Sequence, residues 1–302
     1  MVPYPRIDSF WLEAFLAVAE DLHFGKASQR LSIGQSPLSQ IIKRLERQLG
    51  VALFDRSTRQ VRLTPAGHAF LSDAQSLLFD LRLGVERAQL ASGEIHGAIR
   101  VSFSGFMNHS TLPSLVVQVR NRYPNIELQC THRLLSGEAI SALENDLVDI
   151  AFIGLPVTSP LISTLPIAAE QHFLLIPENH PLRELNRKSC RFEELKEEKF
   201  ITTPADQGST LRRILDNTAQ NAGWEPTVVH EVADAALVMA FVSRGLGVAM
   251  VPECLQQVKP KRTVAIPIED VPPLHSALAW RSGNESQVVA AVIECAKETW
   301  PS

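Results

Sequence analysis

Gln35, Ser36, Ser39, Gln40 and Lys43 fall on one side of a helix when spaced at 3.6 residues per turn. Amide, hydroxyl and ammonium groups presented together are the donors and acceptors that read base edges in a DNA groove. Pro37 shares the first turn of that segment, and Arg44 follows Lys43, where a guanidinium reaches a base or a phosphate. Three further arginines follow: Arg56 and Arg62 flank the polar stretch Ser57-Thr58-Arg59-Gln60, and Arg59 lies within it. Residues 22–62 carry eight Lys or Arg against two acids, although the whole chain has a net charge of −4. A basic patch on an otherwise acidic protein marks a phosphate-contacting module joined to something else.

The elements that must hold these residues are legible around them. Phe10, Leu12, Phe15, Leu16, Val18 and Ala19 predict an amphipathic helix over 8–21, and Ala27 and Leu31 a second from about Gly25 to Leu31. Ser32-Ile33-Gly34 is read as a tight turn with Gly34 at its corner, followed by a third helix from Gln35 to Leu49. Pro37 is tolerated in its first turn, Leu38, Ile41, Ile42, Leu45 and Leu49 supply the buried stripe, and Gly50 ends it. Two short helices joined by such a turn are a helix-turn-helix. Leu53–Arg56 and Val61–Leu63 alternate as two strands, a hairpin wing whose arginines suit the flanking DNA backbone or minor groove. Thr64-Pro65 then opens a helix of some 25 residues, about 38 Å long at 1.5 Å per residue. Its stripe of Phe70, Ala74, Leu77, Leu78, Leu81, Val85 and Ala88 has too little of its own module to cover it, so a second copy of the helix is the expected partner.

Beyond the short hinge Ala91-Ser92-Gly93-Glu94, strands and helices alternate in βαβαβ order. This predicts a parallel sheet with ligands at the strands' carboxyl ends, and a second such unit starts near Glu170. Hydroxyls and free amides gather at Ser104-Gly105-Phe106, Leu135-Ser136-Gly137, Thr202-Thr203-Pro204 and Gln207-Gly208-Ser209. With Phe106, Phe152 and Leu155 as apolar walls, they would suit a small carboxylate with an apolar body. Ser136 and Ser209 have the competing role of helix caps. Only Arg133 adds a cation near these loops, which disfavours a multiply charged ligand.

The run Phe15-Leu16-Ala17-Val18-Ala19-Glu20, with Phe24, Ala27, Leu31, Gln35-Ser36-Pro37-Leu38-Ser39, Leu49-Gly50, Leu53-Phe54, Arg56 and Leu63-Thr64-Pro65-Ala66-Gly67, resembles the DNA-binding signature of the LysR-type transcriptional regulators. It departs at Gly34, where that family often has Ser or Thr, and at Ser36-Pro37, where Pro-Ala is common. Leu147-Val148-Asp149-Ile150-Ala151-Phe152, His180-Pro181-Leu182 and Ser243-Arg244-Gly245-Leu246-Gly247-Val248-Ala249-Met250-Val251-Pro252 extend the resemblance through the second half. The resemblance implies an N-terminal winged helix-turn-helix with a long linker helix, and a C-terminal α/β domain of two lobes like a periplasmic solute-binding protein. It further implies a small-molecule inducer between the lobes, near Ser104, Ser136, Thr202 and Thr203. Binding to promoter DNA as a homodimer or homotetramer follows, with RNA polymerase as a further candidate partner. Domain limits are expected at 1–64 (winged helix), 65–92 (linker helix) and 93–302, with one lobe at about 93–163 and 268–302 and the other at about 164–267.

Composition is that of a globular chain: 45% hydrophobic and 21% charged over 302 residues, enough for two or three compact units. No apolar run reaches the ~18 residues of a membrane span, and the N-terminus lacks a secretory signal pattern, so a cytoplasmic location is expected. Cys130, Cys190, Cys254 and Cys295 are scattered without metal-ligand spacing and read as small buried hydrophobes; no cofactor or metal is expected. The rival readings are an enzyme and a transport-type solute-binding protein. The nine His are dispersed without an HExxH, GxSxG or P-loop pattern, and a basic helix-turn-helix is foreign to a solute-binding protein.

Overall fold

The computed structural model describes residues 6–56, 61–90, 95–106, 111–184 and 188–301. They divide into two compact units, Met1–Ala88 and Gln89–Ser302.

The first unit runs α1 (Ser9–Asp21), α2 (Phe24–Arg30), α3 (Gln35–Leu49), β1 (Phe54–Arg56), β2 (Val61–Leu63) and α4 (Pro65–Leu90). Asp8 caps α1 by accepting from the Phe10 amide at 2.8 Å, and His23 caps α2 through Nδ1. Phe15 is fully buried, its ring 5.5 Å from Phe54 and 5.4 Å from Phe70, so one side chain ties α1 to β1 and α4. The turn between α2 and α3 differs from expectation. Ser32, with φ 53°, takes the left-handed conformation, while Gly34 is extended at φ −71°. Ser32 N–H donates to Gln29 O and Ile33 N–H to Ser28 O, a Schellman closure of α2 that places the left-handed residue two positions before the glycine. Gly34 serves as the N-cap of α3, and its missing Cβ leaves room for the Pro37 ring, whose Cδ would lie 3.2 Å away.

β1 and β2 pair antiparallel, with Asp55 opposite Arg62. The Glu46 carboxylate of α3 accepts from the Leu53 and Phe54 amides at 2.9 and 3.2 Å, which fixes the entry of the hairpin relative to that helix. Thr64 caps α4 as expected, accepting from Gly67 N–H at 3.0 Å and donating to Ala52 O at 2.7 Å.

The second unit runs β3 (Gly97–Phe103), α5 (Thr111–Arg122), β4 (Ile126–Arg133), α6 (Ser136–Glu144), β5 (Ile150–Gly154), β6 (Ile162–Glu170), β7 (His172–Pro177), α7 (Pro181–Glu184), β8 (Lys199–Thr202), α8 (Thr210–Asn221), β9 (Thr227–Glu231), α9 (Ala235–Ser243), β10 (Ala249–Pro252), β11 (Thr263–Pro267), β12 (Leu274–Arg281) and α10 (Gln287–Thr299). The first lobe holds a sheet in the order β4-β3-β5-β12-β6. It is mixed, not parallel: β3 runs parallel to β4 and β5, but β12 returns antiparallel between β5 and β6. In the second lobe β8 and β9 are parallel, and β7 is antiparallel to β10 and β11. Ile201 N–H donates to Val248 O and Val248 N–H to Lys199 O, both at 2.8 Å, which links the two sets into the order β9-β8-β10-β7-β11. Each lobe thus has three parallel strands followed by an antiparallel crossing strand.

The crossings lie later than the limits expected at 163 and 267. β6 pairs with β12 along its length, so residues 164–170 belong to the first lobe's sheet. Ile268 and Val271 pack with Phe192, Phe200 and Trp224, so the second lobe continues past 267.

Candidate functional site

The sequence-predicted reading face is one continuous surface of α3. Gln35, Ser36, Pro37, Gln40, Lys43 and Arg44 are exposed and Ser39 half-buried, while Leu38, Ile42 and Leu45 are fully buried on the opposite side. Arg62 is exposed on β2, and Arg56 pairs through its backbone with Val61 at the end of β1. Arg59 lies outside the described residues. On α4, Leu77, Leu81 and Val85 recur every four residues and stay about half exposed, at 50%, 52% and 49%, so an apolar stripe is uncovered in the single chain.

In the second unit one contact between the two lobes is made through small residues. The Thr210 hydroxyl of α8 lies 3.2 Å from the Ser136 hydroxyl of α6 and 3.3 Å from Gly154 O. Gly137 N–H donates to Gly208 O at 3.1 Å. Ser136 is not a helix cap: it is the first residue of α6, and its hydroxyl accepts from the buried Gly154 N–H at 2.9 Å. Ser209 does cap α8, accepting from Arg212 N–H at 3.3 Å, and also receives the Thr203 hydroxyl.

Two cavities between the lobes lie beside these contacts. One, only about 10 Å³, lies among Ser104, Phe106, Leu135, Ser136, Ser209 and Thr210. The other, about 220 Å³, is bounded by Ser104, Gly105, Arg133, Glu138, Gln207 and Ala233 among others. Ser104, Gly105, Phe106, Ser136 and Gln207 are therefore brought together. Thr202 and Thr203 stand at the end of β8 and line neither cavity. Phe106, 3% exposed, packs with Val238, Leu211 and Ile201 of the second lobe. Phe152 is a correction: it is 1% exposed in the first lobe's core, edge-on to Trp300 at 6.3 Å, and walls no cleft. Leu155 lines a third and larger hollow between the lobes, of about 610 Å³, with His275 of the first lobe and Phe192 and Arg213 of the second.

Sequence reasoning missed Thr210 and Asp234. The Asp234 carboxylate caps α9, accepting from Leu237 N–H at 2.7 Å, and pairs with Arg133 at 2.6 Å. A capping Asp before Ala235 was the available signal, but nothing local reveals a partner 101 positions earlier in the chain. Burial pushes the thiols of Cys130 and Cys295 up, burial with Glu170 alongside pushes Cys254 well up, and Cys190 is buried, so these are not activated thiols by environment.

A helix-turn-helix with a hairpin wing, followed by two α/β lobes closing on a cavity, is the architecture of a two-part regulator. Residues 10–68 match the bacterial regulatory helix-turn-helix protein, lysR family, and residues 92–301 the LysR substrate binding domain. The HTH-type transcriptional regulator ShiR of Corynebacterium glutamicum (strain R) is 40% identical over 287 residues, covering 95% of this chain and 97% of that protein. The HTH-type transcriptional regulator AlsR of Bacillus subtilis (strain 168) is 32% identical over 241 residues, 80% of this chain and 79% of its own. Full-length CbnR, solved with its target DNA, superposes with a TM-score of 0.71 at 23% identity, covering 97% of this chain and 99% of that one, and so shares the fold. The chain belongs to the LysR family of helix-turn-helix transcriptional regulators.

Proposed function

We infer that the chain binds promoter DNA as a dimer, or a tetramer built from dimers, and that a small monocarboxylate held between its lobes alters that binding. The observation that carries the DNA half is the uninterrupted polar face from Gln35 to Arg44 on α3, beside a wing that Glu46 ties to the same helix. Gln35, Ser36, Ser39 and Gln40 read bases, with Pro37 shaping the first turn; Lys43, Arg44, Arg56, Arg59 and Arg62 engage bases or phosphates. The stripe Leu77-Leu81-Val85 is covered by its equivalent on a second copy, which sets two α3 helices against two half-sites. Residues 1–64 form the DNA-binding domain, 65–92 the linker and 93–302 the effector domain.

The inducer occupies the 220 Å³ cavity, touching Ser104, Gly105 and Gln207, with Ser136 and Thr203 acting through the contacts that shape it. No helix among the described residues is long and apolar enough to cross a membrane. Gel-shift titration on the chain's own upstream region tests the reading: wild type should shift it, and Gln35→Ala and Arg56→Ala should weaken the shift, the first with relaxed sequence preference. Equal binding by all three proteins overturns it.

A further inference from the structure

Arg133 and Asp234 form an ion pair across the two lobes. Arg133 ends β4 in the first lobe, Asp234 precedes α9 in the second, and Nη1 meets Oδ2 at 2.6 Å. Arg133 also lines the 220 Å³ cavity, whose other charged residue among those described is Glu138. Glu138 is committed locally, accepting from Leu135 N–H at 3.2 Å. Among the described residues, then, one cation lines the cavity, and it is paired with a carboxylate belonging to the opposite lobe.

We propose that Arg133 is the anchor for the inducer's carboxylate and that Asp234 is its built-in competitor. This rests on the reading of the inter-lobe cavity as the inducer site. A ligand carboxylate offers the guanidinium the same planar, charge-assisted acceptor that Asp234 now offers. The Arg133 side chain is 56% exposed, and an ion pair so open contributes little net stability, so exchange of one carboxylate for another is cheap. A carboxylate at Arg133 also lies within the set formed by Ser104, Gly105 and Gln207, contacts that Asp234 does not draw upon. Release leaves Asp234 still capping α9 through Leu237 N–H, so the helix survives while its tie to β4 is lost. Ligand charge is thereby converted into loss of one of the bonds that join the lobes. A second ligand carboxylate would find no further cation among the described lining residues and would face Glu138, which selects monoanions.

The test uses the full chain with benzoate and cyclohexanecarboxylate, each against its uncharged amide, followed by calorimetric titration. Asp234→Asn preserves the cap, because Asn and Asp are equivalent there, and should tighten both acids by about 1.5- to 5-fold, the range an exposed ion pair represents. Arg133→Gln should weaken them at least about tenfold, as loss of a charge-assisted bond demands. Arg133→Lys should fall between, and the double variant should match Arg133→Gln. The amides should bind none of the proteins more tightly than their acids. Equal acid binding by wild type and Arg133→Gln overturns the anchor and leaves the cavity reading standing. Weakening by Asp234→Asn as severe as by Arg133→Gln overturns the competitor role. Binding of neither acid to wild type or to the sensitised Asp234→Asn protein removes both this proposal and the carboxylate reading beneath it.

Discussion

The hydroxyls of Ser136 and Thr210 meet at 3.2 Å although one belongs to the first lobe and the other to the second. Beside them Gly137 N–H reaches Gly208 O at 3.1 Å, so at this point the lobes meet through small side chains and backbone. Close-packed backbone contacts of this kind pass small displacements from one lobe to the other. A ligand moves this seam only by binding its two states unequally.

Gly137→Ala should wedge the seam. A Cβ there would lie 2.8 Å from Gly208 Cα and 2.9 Å from Gln207 O, both backbone atoms with no rotamer to yield. Overpacking of this kind costs roughly 1–3 kcal/mol. Hydrogen exchange at residues 136–138 and 207–210 should quicken in the variant, and unchanged exchange with unchanged melting would refute the contact.

Ser136→Ala removes the acceptor for the buried Gly154 N–H. An unpaired buried amide costs about 1–3 kcal/mol, visible as a lower melting temperature of the effector unit. Inducer response should be blunted while ligand-free DNA affinity stays at the wild-type level. A wild-type dose-response in this variant would detach Ser136 from the switch.

Leu81→Glu, alone or with Leu77→Glu, places charge on the half-exposed stripe of α4. The fold of the single chain should persist in circular dichroism, since neither side chain is buried there. Sedimentation should report loss of the dimer, and a sedimentation coefficient identical to wild type would show that the stripe is not the interface.

His172 is fully buried at the start of β7, and burial pushes its pKa down to about 4, with the Pro272 backbone pulling more weakly the other way. Between its ordinary 6.5 and about 4, the unfolded chain binds a proton that the folded one refuses. Stability should therefore fall as pH drops through that window, by up to roughly 3 kcal/mol from this group. Replacing His172 with Leu should flatten the difference in urea midpoint between pH 7 and pH 4.5; an unaltered pH slope would contradict the buried neutral imidazole.

The winged helix was legible because its signals are local: helical periodicity in α1 and α3, Thr64-Pro65 opening α4, and Gly50 closing α3 with φ 72°. Even there, residue type points to Gly34 as the turn's corner, whereas Ser32 takes the left-handed backbone, stabilised by two hydrogen bonds to α2 that no composition rule reveals. The lobes were legible as alternating strands and helices, but not in their sheet directions. β12 inserts antiparallel between β5 and β6 from more than 100 residues away in sequence, and a βαβ pattern carries no trace of it. Phe152 was misplaced for a related reason. β5 is buried on both faces, so its sequence has no alternation to say which side faces a cleft. Ser104, Gly105 and Gln207 were found from hydroxyl and amide chemistry at strand ends, whereas the Arg133–Asp234 pair depends on the closure of two lobes and is visible only in three dimensions.

The proposed reading of DNA by paired α3 helices makes a direct prediction. Selection of binding sites from a random duplex pool, with footprinting of the winner, tests it most directly. The selected site should be two-fold related, with half-sites about one helical turn apart or a multiple of it. Gln35→Ala should relax preference at one base position per half-site, and Lys43→Ala should lower the salt slope by about one without changing the selected sequence. No enrichment of any duplex by the wild-type chain, or an identical site and salt slope for both variants, would contradict it.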